Sequence, residues 1–271
     1  MSIILQVSRK IADLNANRVL IHSDIMRGFP VKFINRNDFV VKHIELLKEL
    51  SNNMAIWMPS FNYDFCKGKE FSIKETPSQL GVLSEYFRKE ISEWRTHTPV
   101  FSFSGTGDKP YLSVSETIDP FNSDSAFHLM NNNDSLLMHY GSEFKHTTFI
   151  HYIERMSGNL QYRYDKIFKG YVLFPDNIRK KVKFLFHVRP LGYHLDYDWD
   201  KITSDLKENN ILYHFSEKET NILLLNIGEM TDFLLRKVAE DNLYLLDQES
   251  LNWVIPKLDK LGRPFLITDF E

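Results

Sequence analysis

Short apolar segments and amphipathic segments alternate along the chain, and this alternation constrains the fold more than any other feature of the sequence. Residues 19–21 and 54–58 are apolar runs of strand length, and residues 39–50 between them carry apolar side chains at helical spacing. Alternation of strands and helices is typical of a sheet that is covered by helices. The sequence therefore predicts an α/β fold, an α/β/α sandwich around a central mixed sheet, formed as a single domain by residues 1–271.

The remaining segments extend this pattern to both ends of the chain. Apolar periodicity predicts further helices at residues 2–15, 125–131, 147–156, 202–208, 228–242 and 251–258. Apolar or β-branched runs predict further strands at residues 135–140, 171–174 and 182–189, and extended segments at 94–103 and 243–247. Thr76, Pro77 and Ser78 predict another helix start, because a hydroxyl is a common N-cap and proline suits the first helical turn. The helix over residues 39–50 is expected to end at Asn52 and Asn53.

Composition and length exclude several classes of protein. A chain of 271 residues that is 43% hydrophobic and 14% aromatic can bury a sizeable core. No apolar run has the form of a signal peptide or the length of a membrane span, and a formal net charge of −3 provides no general attraction to nucleic acid. The single cysteine, Cys66, excludes an intramolecular disulfide. We expect a cytoplasmic protein with no membrane or nucleic-acid partner, and the sequence carries no signal that fixes its oligomeric state.

Two stretches of opposite charge follow one another in the second half of the chain. Residues 162–189 contain eight basic and two acidic residues, whereas residues 196–208 contain five acids and two lysines. Two solvated surfaces are the simplest interpretation. The functional alternative is a surface that attracts phosphate beside one that attracts cations, which would suit an anionic cofactor and an amine substrate.

Three reactive side chains recur at helical spacing near the middle of the chain. Thr148, His151 and Glu154 are three residues apart, which would place them on one face of the predicted helix. A carboxylate beside an imidazole holds the tautomer of the ring and raises its basicity, and an imidazole titrates near neutral pH. The pattern predicts a general base that can deprotonate an amine. A surface pair or a structural histidine is the alternative interpretation.

Five segments occur in the order and spacing of a known family. They are Val-Leu-Ile-His-Ser at 19–23, Met-Pro-Ser-Phe at 58–61, the segment 76–88, Arg-Thr-His-Thr-Pro-Val-Phe-Ser-Phe at 95–103, and Thr-Phe-Ile-His-Tyr-Ile-Glu at 148–154. Together they resemble the aminoglycoside 3-N-acetyltransferases, also called antibiotic N-acetyltransferases. The first segment resembles the His-Ser-Ser loop of that family, and the last resembles its Thr-x-x-His-x-x-Glu motif.

The resemblance implies a fold unrelated to the GNAT acetyltransferases, acetyl-CoA as acyl donor, no metal, and direct acetyl transfer to a primary amine of an aminoglycoside or amino sugar. It implies that His151 and Glu154 form a catalytic dyad and that Thr148 lies beside the thioester. The positions expected to line or support the coenzyme A channel are Ser23, Asp24, Ser78, Arg95, Thr96, Ser102 and Phe103. Hydroxyls, loop N–H groups and arginine suit phosphate oxygens. The positions expected to contact the acceptor are Tyr63, Asp64, Asp196 and Asp198.

The chain departs from the family pattern mainly in loops around the site. The family's His-Ser-Ser is His-Ser-Asp at 22–24, its Arg-Ser-x-His-Pro is Arg-Thr-His-Thr-Pro at 95–99, and its Phe-Gly-x-x-Ser-Pro is Phe-Asn-Ser-Asp-Ser-Ala at 121–126. The predicted dyad is retained, so these departures concern the acceptor more than the reaction. An alternative to antibiotic resistance is therefore acyl transfer to a nucleotide-linked amino sugar in surface-polysaccharide synthesis, which the basic run at 162–189 would suit.

A metal-dependent hydrolase is a hypothesis from a different class. Imidazole and carboxylate are common zinc ligands. The residues available for such a site are His151, Glu154, His146 and either His139 or His128. No His-x-x-x-His or cysteine pair accompanies them, which disfavours this hypothesis.

A noncatalytic carbohydrate-binding or scaffold protein is a third hypothesis. It is suggested by the aromatic residues Phe61, Tyr63 and Phe65.

Cys66 is not expected to carry an acyl group during the reaction. A reactive thiol needs a nearby base or helix N-terminus, and the sequence shows neither beside Cys66.

Overall fold

The structure is a computed structural model that describes residues 2–52 and 54–271. Asn53, part of the predicted helix end, lies outside the described residues. The strands are β1 (Arg18–Ser23), β2 (Ala55–Pro59), β3 (Phe71–Ser72), β4 (Trp94–Arg95), β5 (Phe103–Gly105), β6 (Thr117–Ile118), β7 (Ser135–Tyr140), β8 (Tyr164–Leu173), β9 (Arg179–Val188), β10 (Leu212–Glu217) and β11 (Thr220–Asn226). The α-helices are α1 (Ile3–Leu14), α2 (Arg36–Ser51), α3 (Val82–Tyr86), α4 (Ala126–Met130), α5 (Ile150–Ser157), α6 (Trp199–Glu208), α7 (Ile227–Glu240) and α8 (Gln248–Leu261).

A mixed seven-stranded sheet forms the centre of the fold, with strand order β10-β11-β7-β1-β2-β5-β4. Strands β7, β1 and β2 are parallel, and the strands on either side of them are antiparallel to their neighbours. A second sheet has the order β3-β8-β9-β6, and its centre is the long antiparallel ribbon of β8 and β9. The predicted α/β fold around a mixed sheet is confirmed, whereas the second sheet was not predicted.

Strand β1 is buried on both faces, and its side chains alternate between two layers of the core. Val19 and Ile21 pack in one hydrophobic cluster with apolar residues of α1 and α2. Leu20 belongs to the cluster that contains α5, α6 and α7. Because side chains two apart on a strand share a face, His22 lies on the same side of the sheet as α5. The alternation therefore directs a histidine toward the helix that carries His151.

None of the helices formed by residues 2–52 and 54–271 combines the length and the apolar character that a membrane span requires.

The predicted helix start at residues 76–78 is wrong. The helix α3 begins at Val82, and Gly81 before it has φ = +104°, a conformation that interrupts a helix. The hydroxyls stabilise turns instead: the Oγ1 of Thr76 accepts from the N–H of Ser72 at 2.8 Å, and the Oγ of Ser78 accepts from the N–H of Leu80 at 3.2 Å. Hydroxyl side chains cap helices and also stabilise turns, and at residues 76–78 they stabilise turns.

Two further predictions differ from the structure. Helix α5 begins at Ile150 and not at residue 147, so Thr148 precedes the helix, although its carbonyl accepts from the N–H of His151 at 3.1 Å. Residues 243–247 form no strand and contribute an isolated bridge between Leu246 and Tyr197. The hairpin of β10 and β11 was not predicted at all.

The loops that follow β1 and β7 touch each other through Gly141. The N–H of Asp24 donates to the carbonyl of Tyr140 at 2.8 Å. Gly141 has φ = +78°, and a Cβ at this position would lie 2.0 Å from the carbonyl oxygen of Asp24. Only glycine allows this approach, which brings the carboxyl ends of two parallel strands together.

We predict that Gly141→Ala lowers the free energy of unfolding by about 1–3 kcal/mol more than Gly68→Ala does. Gly68 is a matched control, because it has φ = +84° and no atom lies within 4 Å of its ideal Cβ. Both variants strain the backbone, but only the first creates a steric overlap. Urea denaturation of the two variants measures the difference, and equal losses would show that the contact with Asp24 is not tight.

Candidate active site

A cavity of about 700 Å³ opens at the carboxyl ends of β1 and β7. Ligands of open α/β sheets bind in such crevices, where neighbouring parallel strands connect in different directions. His22, Ser23 and Asp24 line the cavity from the end of β1, and Ser142 lines it from the segment after β7. The opposite wall includes His151 from α5 together with residues near the end of β9 and the start of α6.

His151 and Glu154 form the predicted pair. The Nδ1 of His151 lies 2.9 Å from Oε2 of Glu154. Because a carboxylate can only accept, Nδ1 carries the proton and Nε2 keeps its lone pair. The side chain of His151 is 24% exposed and borders the cavity, whereas that of Glu154 is fully buried. The pair therefore offers Nε2 of His151 as a basic nitrogen, and the bond from Nδ1 to the Glu154 carboxylate orients the ring.

The Glu154 carboxylate is held ionised by groups that come from another part of the chain. Nε of Arg163 lies 3.0 Å from Oε2, and the hydroxyl of Tyr162 donates to Oε1 at 3.1 Å. Burial alone would raise the pKa of Glu154, but the charge of Arg163 and the bond from His151 outweigh it and lower that pKa to about 2. Glu154 is therefore ionised near neutral pH.

Tyr197 joins His151 and Arg163. Its hydroxyl lies 3.1 Å from Nδ1 of His151 and accepts from Nη2 of Arg163 at 2.5 Å. Burial, followed by the charge of Arg163, lowers the pKa of His151, and the bond from Glu154 opposes this shift only in part. Neither Arg163 nor Tyr197 was predicted as a site residue. Each belonged to a charged run, and no local pattern connects either residue with Glu154.

Six of the predicted site residues line the cavity together. They are Ser23, Asp24, Tyr63, Thr148, His151 and Asp196. Asp196 is only partly available to a ligand, because its Oδ1 accepts from the N–H of Tyr197 at 2.8 Å and from Nε1 of Trp199 at 3.2 Å. Oδ1 of Asp24 likewise accepts from the N–H of Met26 at 3.1 Å.

Arg95 lies outside this lining and is engaged by protein groups. Its guanidinium donates to the carbonyls of Ser60, Ile73 and Thr76 and to the hydroxyl of Ser102, and the residue is only 5% exposed. Arg95 therefore fixes the loop that follows β2, and this arrangement gives no support to direct phosphate binding.

Four other predicted site residues also have structural surroundings. Thr96 accepts from the N–H of Phe103 at 2.9 Å, and both residues are buried. Asp64 pairs with the Lys69 ammonium at 2.8 Å, and Asp198 caps α6 by accepting from the N–H of Lys201 at 3.0 Å. None of the four is among the described residues that line the cavity.

Ser78 lies on a groove that continues away from the cavity. An apolar groove of about 490 Å³ shares Ser23, Asp24 and Leu80 with the cavity. A more polar groove of about 570 Å³ continues from it through Arg36 and includes Ser78. The three depressions thus form one path from His151 to the start of α2.

The ligands that a metal-dependent hydrolase would use are not gathered. Among residues 2–52 and 54–271, no group of three or more His, Cys, Asp or Glu side chains is arranged to hold a metal ion. His128 bonds to the hydroxyl of Tyr152 at 2.8 Å, and His139 bonds to the hydroxyls of Ser142 and Thr147 at 2.9 and 2.8 Å. The arrangement gives no support to that hypothesis.

Among residues 2–52 and 54–271, no neighbour lowers the pKa of Cys66 enough to activate its thiol. It is half-buried and does not border the cavity. Burial raises the pKa of its thiol to about 11, and the nearby charge of Lys166 opposes this only weakly. A thiol with such a pKa is protonated at neutral pH, which supports direct transfer without an acyl-cysteine.

The sequence model of a family described as aminoglycoside 3-N-acetyltransferase matches residues 45–239, more than half of the chain. The chain belongs to this family. It is an acetyltransferase that uses acetyl-CoA as acyl donor, as the resemblance of its motifs implied. Membership in the aminoglycoside 3-N-acetyltransferase family also overturns the noncatalytic hypothesis.

Solved structures with the same fold agree with this assignment. The chain is similar to a protein described as AAC-IIIb, binary with CoASH (TM-score 0.68, 13% identity, 88% of this chain and 96% of that chain covered). It is similar to the aminoglycoside acetyltransferase AAC(3)-IVa as apoenzyme (0.64, 17%, 91% and 94%) and to the YokD protein from Bacillus subtilis (0.62, 15%, 88% and 94%). No curated protein matches the sequence.

We predict that Glu154→Gln lowers the free energy of unfolding by about 3–5 kcal/mol, because it leaves the Arg163 guanidinium buried without its anion. The double variant Glu154→Gln/Arg163→Met is expected to recover much of this loss, and Glu45→Gln, which breaks an exposed pair with Lys42, is expected to change little. Urea denaturation measures all three variants. If Glu154→Gln alone is as stable as wild type, the importance of the pair is refuted.

The same measurement against pH gives an independent check. The pKa of Glu154 is lowered in the folded state, so its contribution to stability is complete above its ordinary value of 4.5 and is lost as the pH falls from 4.5 toward 2. The double variant is expected to lack this part of the acid destabilisation.

Proposed function

We propose that the protein transfers the acetyl group of acetyl-CoA directly to a primary amine of an aminoglycoside, with His151 as general base and Glu154 as the residue that orients it. The observation that carries this proposal is the His151 ring, which borders the cavity while its Nδ1 is bonded to a buried, ionised carboxylate. The aminoglycoside 3-N-acetyltransferase family supplies the reaction class.

The proposed reaction has three steps. Nε2 of His151 accepts a proton from the amine as the amine nitrogen bonds to the thioester carbonyl carbon. The carbonyl oxygen becomes negatively charged, and the carbon–sulfur bond then breaks. The thiolate of coenzyme A leaves and takes the proton from His151, so that the products are an amide and free coenzyme A. A thioester is already electrophilic, so alignment and deprotonation of the amine are the main tasks of the protein.

Two features of the path that leads away from His151 suit the donor. Its apolar groove contains Ile25, Met26, Phe39 and Leu83, which suit the pantetheine arm. Its more polar end contains Arg36, Lys89 and the hydroxyl of Ser78, which suit phosphates. Glu85 and Glu90 line the same end, and Glu85 is paired with Arg88. We infer that coenzyme A lies along this path, with its thioester between β1 and α5.

Two observations bear on the acceptor. Crystal structures of a mutant of AAC(3)-IVa contain apramycin or a gentamicin, and both are aminoglycosides. The cavity of this chain is not strongly acidic, however, because Asp24 and Asp196 are accompanied by Lys145 and Arg189. This balance favours, as a second candidate, an amino sugar that carries a phosphate, such as a nucleotide-linked one.

A panel of acceptors tests the proposal. Purified protein would be assayed for thiol release from acetyl-CoA with aminoglycosides, free amino sugars and nucleotide-linked amino sugars. An aminoglycoside is expected to give the highest kcat/KM, and Asp196→Asn is expected to lower that value while leaving a nucleotide-linked acceptor unaffected or improved. Turnover with nucleotide-linked sugars alone would establish the second candidate, and no turnover with any amine would refute the function.

We predict that His151→Gln lowers kcat/KM by about 10²–10⁴, because glutamine cannot accept the proton of the amine. In the wild type, kcat/KM is expected to fall with decreasing pH at a midpoint below 6.5, since burial and Arg163 lower the pKa of His151 and the base works only when neutral. Cys66→Ser serves as the control and is expected to keep turnover within about threefold. A dead Cys66→Ser variant, with an acetylated Cys66 peptide found by mass spectrometry, would refute direct transfer.

A further inference from the structure

His22 is a second histidine in the cavity, and the dyad gives it no role. It lies near the end of β1, is 7% exposed and borders the cavity. Its neighbour in the sheet is His139 on β7, and the two rings stack with their centroids 5.2 Å apart. His22 is therefore held at the end of a buried parallel strand, on the side of the sheet that faces α5.

The two stacked rings differ in their hydrogen bonds. Both nitrogens of His139 bond to hydroxyls, Nδ1 to that of Ser142 at 2.9 Å and Nε2 to that of Thr147 at 2.8 Å. In the described part of the chain, the ring of His22 bonds to no protein group. Neither of its nitrogens is sealed from solvent in the described part of the chain, and the residue borders the cavity. A nearly buried polar ring without a hydrogen-bond partner among the described residues thus borders the space that a ligand would fill.

The surroundings of His22 keep its ring neutral. The titratable groups that face it are the imidazoles of His139 and His146, and the nearby carboxylate of Asp24 is turned to the N–H of Met26. Burial, and after it His146, lowers the pKa of His22 to about 4. A neutral imidazole has one N–H and one lone pair, so near neutral pH His22 presents a hydrogen-bond donor without a net charge.

We propose that the N–H of His22 donates to the carbonyl oxygen of the bound thioester and stabilises the negative charge that develops there during transfer. This inference rests on the proposed acetyl transfer, and it assigns the donor and the base to different elements: His22 at the end of β1, and His151 on α5. A hydrogen-bond donor that is already in position before the reaction stabilises the transition state, because negative charge develops on the oxygen to which it donates.

Infrared spectroscopy of [1-¹³C]acetyl-CoA bound to the protein, without acceptor, tests the contact directly. In the wild type, the thioester carbonyl stretch is expected at lower wavenumber than in solution, because a donated hydrogen bond weakens the C=O bond. His22→Phe keeps a ring for the stack but removes the N–H, and it is expected to return the band toward its solution position. His22→Gln keeps an N–H donor and is expected to restore part of the shift.

Steady-state kinetics of the same variants give the second readout. His22→Phe is expected to lower kcat by about 10²–10³ while the KM for acetyl-CoA stays within about threefold, and His22→Gln is expected to recover at least about tenfold of that loss. His214→Phe, at an exposed position on β10 outside the cavity lining, is the control and is expected to keep kcat unchanged. Thermal unfolding of each variant identifies any loss that arises from misfolding.

The outcomes separate this inference from the function on which it rests. If the wild type neither binds nor turns over acetyl-CoA, the proposed function fails and the role of His22 fails with it. If the wild type transfers acetyl groups but folded His22→Phe keeps kcat within threefold, only the role of His22 is overturned. The same holds if the carbonyl band of acetyl-CoA bound to His22→Phe stays at its wild-type position. A rise in KM alone also overturns it, because it would mean that His22 binds the ground state and not the transition state.

Discussion

The negative charge of the buried Glu154 carboxylate is the constraint on which the rest of the site depends. An ionised carboxylate inside a protein needs compensation from every side, and here α5, the segment that enters β8, and the residues that precede α6 all contribute to it. His151 and Arg163 each contact both this carboxylate and Tyr197. The orientation of the base therefore depends on how α5, the start of β8 and the segment before α6 pack together.

The same charge clarifies what Glu154 does. A carboxylate whose pKa is about 2 has little tendency to take the proton that His151 collects. Glu154 therefore orients the ring and balances its charge. Arg163 acts in the opposite direction on the ring, because its positive charge disfavours the imidazolium. Burial and Arg163 therefore keep His151 neutral, while Glu154 keeps its ring oriented. His22 is kept neutral by burial and His146, with no carboxylate partner in the described part of the chain.

The parts of the fold that the sequence predicts are those fixed by local patterns. Strands β1, β2 and β7 are continuous apolar runs because they are buried on both faces, and the His151–Glu154 spacing follows from one turn of helix. The hairpin of β10 and β11 escaped prediction because its turn, Lys218 and Glu219, contains none of the glycine or asparagine residues typical of two-residue hairpin turns, although Lys218 has φ = +54°. Arg163 and Tyr197 bond to each other across 34 positions, and such a contact leaves no periodicity. At residues 76–78, the same residue types that cap helices formed turns, so local chemistry alone could not decide between them.

The ribbon of β8 and β9 has one end at the cavity and the other far from it. Phe186 and Val188 line the cavity, whereas Lys180 and Lys181 lie toward the other end, near Arg179. Lys181 and Val188 are seven positions apart along an extended strand, roughly 20 Å at the rise of a strand. Counterions reduce electrostatic interactions in water over about 8 Å at physiological ionic strength. Charges at the distal end of the ribbon are thus largely screened from the cavity, so we expect that end to tolerate changes of charge that leave the electrostatics of the cavity unaltered.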